Sequence, residues 1–368
     1  MSFLTRAHID AEILRKYFSS DGRFEFVGLV AHGYFGSASR VKYTDRNGKT
    51  SQFLVKKAFK NPDGLEALNN EKNYLRRLRG AMHIVQTLNI ADNPLEISPM
   101  IDSTGARLPN IDNQWIVMEW LEYGTIGDFI KKARNRRITQ LPNRLLWRLF
   151  LCLIRGCIAM AWPPHRIDDE VEIETIDPHA QASNVVHNDL HTGNVLLTEP
   201  PLDEEHTISP LVKIIDFGLA GQWTWADGPS SAVQNNIWQM GKMMVALIIL
   251  WLPWDVSNKG GAVFTKVPGG PEIETDARPI LPSTGPSAEY PNLDPDLRTL
   301  VCSCLATRHD DRPTISELLD TVLEAVRTRG ADFYPGRPEE QDDFISRRWR
   351  EIVLDTSDGS GEFVVNIS

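Results

Sequence analysis

The densest chemistry in the chain lies in Val186-His187-Asn188-Asp189-Leu190-His191-Thr192-Gly193-Asn194-Val195-Leu196-Leu197. An Asp and an Asn five apart on a tight loop can face one pocket, where one accepts a proton and the other holds a cation. Further on, Ile214-Ile215-Asp216-Phe217-Gly218-Leu219-Ala220 sets a second carboxylate just past an apolar strand, with a glycine behind it. Asn194 and Asp216 offer hard oxygen donors, which suit Mg²⁺ better than zinc. Upstream, Ala31-His32-Gly33-Tyr34-Phe35-Gly36-Ser37-Ala38 joins two strand-like runs through glycines. Such a loop lets backbone N–H groups approach phosphate oxygens closely. Lys56 follows in Phe53-Leu54-Val55-Lys56, and Glu71 lies on the next helical stretch. A buried lysine needs a carboxylate to stay charged, and Glu71 can supply it.

In this order the residues resemble the eukaryotic protein kinase superfamily, from about Phe24 to Thr328. The resemblance implies an α+β, bilobal protein kinase-like fold with a β-rich N-lobe and a mostly α-helical C-lobe. It implies ATP and Mg²⁺ as cofactors and transfer of the γ-phosphoryl to a Ser/Thr hydroxyl of a protein substrate. Gly33 and Gly36 match the second and third glycines of the phosphate-covering loop, and Ala31 stands where the first would be. Lys56 matches the phosphate-holding lysine and Glu71 its helical partner. Met118-Glu119-Trp120-Leu121 resembles the gatekeeper and adenine-binding hinge, and Ala38, Leu54 and Leu196 are assigned to the nucleotide slot. Asp189 matches the catalytic aspartate; Asn194 and Asp216 match the metal ligands. Ile237-Trp238-Gln239-Met240-Gly241 resembles the start of the central C-lobe helix, and Arg312-Pro313-Thr314 a late family motif.

The departures carry their own expectations. Ala38 is smaller and Leu54 larger than the family's usual residues, so the adenine slot is either compensated in volume or crowded. Asn188 replaces the arginine that normally pairs with a phosphorylated activation segment. That segment is also short, with Asn236 standing for the usual aspartate, and Ala-Pro-Glu is missing. Activity independent of activation-loop phosphorylation follows, along with a reduced substrate platform and an Arg312 without its usual partner. Asn236 still offers a carbonyl to anchor the catalytic loop. His191, where Ser/Thr kinases carry a lysine, could touch the γ-phosphate. The pattern around it also resembles aminoglycoside and choline kinase relatives. A small-molecule kinase and a non-catalytic, partner- or nucleotide-binding pseudokinase therefore stand as alternatives. His32 reads as surface.

These residues need elements to position them. Thr5–Phe18 is patterned as a helix, Phe24–Ala31, Gly36–Tyr43 and Phe53–Phe59 as strands, with Asn47-Gly48 as a hairpin turn. A helix is expected over Leu65–Arg79, a strand over Gln114–Trp120, and helices over Gly127–Ala133 and Asn143–Trp162, the latter apolar on most sides. Short strands at Val195–Leu197 and Leu211–Ile215 precede helices at Ala232–Leu250, Asp294–Ala306 and Thr314–Thr328. The expected organisation is an N-terminal helical extension (1–21), N-lobe (22–120), C-lobe (121–330) and a tail (331–368) of opaque role. Stretches 91–113, 163–184, 199–210 and 253–291 read as surface insertions or disordered loops. The basic run Lys131, Lys132, Arg134, Arg136 and Arg137 reads as a solvated helix face, or as a dock for an acidic substrate or for the acidic insertion around Asp168–Glu174.

Composition narrows the classes. The 368 residues carry 39 basic and 49 acidic side chains, net −10, which argues against nucleic acid or anionic membrane as the main partner. Hydrophobic content of 42% supports a full core. No N-terminal leader pattern is read, and the apolar runs Leu149–Ile154 and Met243–Leu252 are too short for a bilayer. Cys152, Cys157, Cys302 and Cys304 lack CxxC spacing and read as buried reduced thiols. A monomer in the cytoplasm or nucleus is expected.

Overall fold

The computed structural model describes residues 2–97, 100–102, 105–164, 166, 168, 170–222, 229–251, 263–266, 272–281, 290–355 and 365–366. The first half of the fold is a five-stranded sheet ordered β11-β1-β2-β3-β4, built from β1 (Phe24–His32), β2 (Gly36–Thr44), β3 (Thr50–Ala58), β4 (Trp115–Glu119) and the C-terminal β11 (Val365–Asn366). Strands β1 to β4 pair antiparallel; β11 joins the outer edge parallel to β1, at Ala31 and His32. The alternation of a strand sorts β3 into two faces. Phe53 and Val55 are buried with α1 (Phe3–Phe18), while Leu54 and Lys56 face the opposite side.

Helix α1 is tied to the sheet by apolar burial of Leu14, Tyr17 and Phe18. Charge reinforces it: Asp10 meets the buried Lys57 ammonium at 2.8 Å. Helix α2 (Pro62–Arg77) starts earlier than the apolar pattern implied. Asn61 caps Gly64 N–H and Pro62 occupies the first turn, a start signal independent of hydrophobic periodicity.

The helical half surrounds α4 (Asn143–Ala161), of whose residues all but Arg144 are buried. Around it lie α3 (Ile126–Asn135), α5 (Pro229–Ile249), α6 (Pro295–Cys304) and α7 (Ile315–Thr328), with β6 (Val195–Thr198) and β7 (Leu211–Ile214) forming a hairpin at the front. A β-rich half followed by a helical half gives the bilobal α+β fold. Among the described residues no helix is long and apolar enough to cross a membrane.

Three expectations about irregular stretches are corrected. First, 163–184 and 199–210 are not merely surface loops: Glu174, His206 and Ile208 are buried, because each finds a polar or apolar partner in the interior. Second, part of 253–291 is a hairpin, β9 (Val263–Lys266) with β10 (Glu272–Thr275); residues 252–262, 267–271 and 282–289 lie outside the described set. Third, the basic run is a solvated face at Lys131, Arg134, Arg136 and Arg137 but not at Lys132, and it does not dock the acidic insertion. Lys132 is buried and donates to Val353 O at 2.9 Å, and Arg136 pairs with Asp355 at 2.6 Å. Arg134 stacks over Trp251 at 3.6 Å, while Lys131 stays exposed beside Asp128. The acidic insertion instead neutralises its own Arg166, through Asp168, Glu170 and Glu172.

The tail thereby acquires a position. Helix α8 (Asp342–Val353) buries Ile345, Trp349, Ile352 and Val353 against the helical half. Just before it, Glu340 accepts from Asn143 N at 2.7 Å and Arg144 N at 3.0 Å. Pro142, at the N-cap of α4, has no side chain to do this, so a carboxylate nearly 200 residues away caps the central helix.

Candidate active site

The hairpin β6–β7 sets the geometry. Its ladder starts at Val195 opposite Ile214, and Ile215 N–H donates to Asn194 O at 3.0 Å. Asn194 and Asp216 therefore emerge at the same end of the hairpin. Asp216 takes φ 63°, a left-handed conformation rare for a residue with a Cβ, which turns its carboxylate out of the strand line.

Lys56 reaches that carboxylate from β3. Its Nζ lies 2.7 Å from Glu71 Oε2 and 2.8 Å from Asp216 Oδ1. Burial works against the ammonium, but Asp216 and then Glu71 outweigh it and hold Lys56 above the ordinary lysine value. Burial raises Glu71, and Lys56 opposes that rise. Lys56 thus bridges two carboxylates from different parts of the chain.

The loop carrying Asp189 is fixed by hydrogen bonds that assign its tautomers. His187 Nε2–H donates to Ile215 O at 2.9 Å, leaving Nδ1 to accept Asp189 N–H at 3.3 Å. Burial depresses the His187 pKa, in keeping with a neutral ring. Asn236 Oδ1 accepts His187 N–H and its Nδ2 donates to Val185 O, so the amide anchors the loop from α5. Asn188 donates to Leu219 O at 3.0 Å, a neutral link from this loop to the segment after Asp216.

Asn194 Nδ2 donates to Asp189 O and Oδ2, both at 2.9 Å. That leaves Asn194 Oδ1 as a buried acceptor without a hydrogen-bond partner. An orphaned buried carbonyl oxygen near a carboxylate is what a hard divalent cation would satisfy, so the donor set fits such an ion. His191 lies beside Asp189, Nε2 to Oδ1 at 3.6 Å, while its Nδ1 accepts Gly193 N–H.

A cleft of about 750 Å³, open to solvent, separates the two halves. Ala31, Ala38, Leu54, Lys56, Glu71, Met118, Glu119, Leu121, Leu196 and Asp216 all line it, as assigned from sequence. Ala38 and Leu54 leave it open, which favours the compensated slot over the crowded one. Gly33 and Gly36 do not line this cleft. They line a smaller hollow beside it that shares Lys56 and Asp216. There a Cβ on Gly36 would stand 2.3 Å from Lys57 O, so the close approach of β2 to β3 requires glycine.

Trp120 of the expected hinge lines the cleft as well. The sequence does not mark Val30, Val85, Glu122, Gly124, Thr125 and Ile215 as cleft residues, yet they line it too. Asn70, next to Glu71, donates to the carbonyls of Phe217, Gly218 and Ala220, tying α2 to the turn that presents Asp216. Its position beside Glu71 was the available signal. Arg312 is not left without partners: its guanidinium donates to Ala306 O and Gln234 O at 2.8 and 2.9 Å. Backbone carbonyls replace the missing carboxylate there.

Comparison with known proteins agrees with this geometry. Residues 24–237 match the family model described as protein tyrosine and serine/threonine kinase. The serine/threonine-protein kinase mig-15 of Caenorhabditis elegans is 25% identical over 204 residues, covering 55% of this chain and 14% of that protein. A fibroblast growth factor receptor of Hydra vulgaris is 23% identical over 343 residues, covering 86% of this chain and 36% of the receptor. Serine/threonine-protein kinase A of a Synechocystis strain is 23% identical over 328 residues, covering 83% and 53%. The chain thus spans from about a seventh to about half the length of these relatives. With more than half of its residues matched and the ion-paired Lys56, Glu71 and Asp216 in one cleft, the chain belongs to the protein tyrosine and serine/threonine kinase family.

Proposed function

We propose that the protein transfers the γ-phosphoryl of ATP to Ser/Thr hydroxyls of a protein substrate, with Mg²⁺ as the metal. The observation that carries this reading is the Lys56 bridge to Glu71 and Asp216, at 2.7 and 2.8 Å, facing an open cleft. Lys56 is held charged at the inner wall, where it can fix the α- and β-phosphates. The apolar walls, Ala31, Ala38, Leu54, Met118 and Leu196, suit the flat adenine ring. Asn194 and Asp216 would hold Mg²⁺, which supplies charge neutralisation at the phosphates.

Asp189 is about one-fifth exposed, so an acceptor hydroxyl can reach its carboxylate. The carboxylate orients that hydroxyl and takes its proton as the new O–P bond forms and the bond to the β,γ-bridging oxygen breaks. ADP leaves with the electron pair of the broken bond. The neutral Asn188–Leu219 link supports activity without phosphorylation of the short segment. The buried, unpaired cysteines support a reducing compartment, cytoplasm or nucleus.

A partner-binding role without turnover is favoured by one feature: Arg312 is satisfied by backbone carbonyls instead of by a substrate platform. Labelled ATP with Mg²⁺, generic protein substrates and small hydroxylated metabolites separate the readings. Protein labelling abolished by Asp189→Ala is expected. Labelling of metabolites alone, or nucleotide binding with no turnover, would refute the proposal.

A further inference from the structure

Behind the cleft, three side chains from distant parts of the chain meet in the dry interior. His83 follows α2, Cys152 sits mid-way along α4, and His206 comes from the 199–210 insertion. All three are almost fully buried, and their ligating atoms lie within 4.8 Å of one another. His206 Nε2 is 3.3 Å from His83 Nε2 and 3.3 Å from Cys152 Sγ.

The outer nitrogens decide what the inner ones can do. His83 Nδ1 lies 2.6 Å from Glu174 Oε2, and His206 Nδ1 lies 2.8 Å from Asp203 Oδ1. An ionised carboxylate only accepts, so both Nδ1 atoms carry hydrogen. In neutral rings both Nε2 atoms then present lone pairs, aimed at each other and at a sulfur. Only a cation or shared protons can make that arrangement favourable. Without a metal, protons serve: burial opposes a charged His83, but Glu174 and Cys152 outweigh it and hold the ring up at about 10. Burial likewise opposes the thiolate, but His206 and His83 bring Cys152 down to about 6. The ligand form is the thiolate beside two neutral imidazoles, so a metal would take the place of the shared protons.

We propose that His83 Nε2, Cys152 Sγ and His206 Nε2 form a transition-metal site whose donor set suits Zn²⁺. Ligands at about 2.0–2.1 Å (N) and about 2.3 Å (S) from tetrahedral zinc stand about 3.3–3.6 Å apart. The two 3.3 Å separations match the edges of that tetrahedron with little movement. Glu174 and Asp203 occupy the outer positions that fix tautomer and ring orientation in histidine–metal sites. The site would pin two insertions to α4, which explains why loops rich in charge run through the interior. A Cys152–His206–Asp203 nucleophile is the rival chemistry, but with the thiol and imidazole this deeply buried no substrate reaches the sulfur.

The test uses the full chain without an affinity tag, purified under reducing conditions. Elemental analysis should find about one zinc per chain. Replacement by Co²⁺ should give a thiolate-to-cobalt charge-transfer band with tetrahedral d–d absorption. Cys152→Ser and His206→Asn should each lose most of the metal, while Cys302→Ser, a buried cysteine elsewhere, should keep it. Should those variants fail to fold, the cobalt spectrum of the unaltered protein still decides. No stoichiometric metal after incubation with Zn²⁺ or Co²⁺ would overturn the proposal, as would metal content unaffected by Cys152→Ser. Copper at full occupancy in place of zinc would overturn the zinc assignment.

Discussion

Replacing Lys56 by methionine tests the electrostatics of the site separately from any turnover. The side chain keeps its length and loses its charge, so little cavity forms. The ammonium lies 2.7 Å from Glu71 and 2.8 Å from Asp216, with side-chain exposures of 13%, 1% and 11% for the three residues. Deleting one partner of such a buried pair costs about 3–5 kcal/mol, because the other charge is stranded. Here two carboxylates are stranded facing each other, so the upper half of that range is expected at pH 8. With a urea slope of about 3 kcal/mol/M, the midpoint should fall by about 1.3–1.7 M. The loss must also depend on pH. Burial already raises the Glu71 pKa, and losing Lys56 raises it further. Between the ordinary carboxylate value and the raised one, the folded variant binds more protons than the unfolded chain. Its stability therefore falls as pH climbs through that window. Urea unfolding at pH 5 and pH 8 should show a smaller gap from the unaltered protein at pH 5, and adding Glu71→Gln should recover part of the loss at pH 8. An unchanged midpoint, or a loss equal at both pH values, would refute the reasoning.

Two further outcomes follow from contacts absent from the sequence pattern. Glu340→Ala removes the acceptor for two backbone N–H groups at the start of α4 and should lower stability by about 2–4 kcal/mol, read by calorimetry; an unshifted melting temperature would count against the cap. Asn70→Ala frees three carbonyls of the Asp216 turn, worth about 1–3 kcal/mol, and should reduce phosphotransfer kcat/KM about 5- to 100-fold; full activity would show that the turn needs no support from α2.

The tail shows why some contacts were illegible. Glu340 in Pro338-Glu339-Glu340-Gln341 reads as one more exposed acid, yet it is 1% exposed at the N-terminus of α4. Nothing local marks it, because its partners lie almost 200 positions away. The same holds for Lys132, whose charge suggests a wet face although it is buried against Val353 O. His83, Cys152 and His206 share no spacing that a metal pattern would reveal.

What the sequence alone determined is the identity and order of the polar groups: Lys56 and Glu71 lie on, and Asp189, Asn194 and Asp216 beside, elements marked by local periodicity and turn residues. Short-range rules suffice there, since a strand, a tight loop and a hairpin each dictate where their next side chain emerges. Tertiary structure alone decided that Asp216 joins Glu71 on Lys56, which loops enter the interior, and what caps the central helix. Those outcomes depend on burial between segments far apart in the chain, where the cost of stranding a charge selects the partner and no neighbouring residue records the choice.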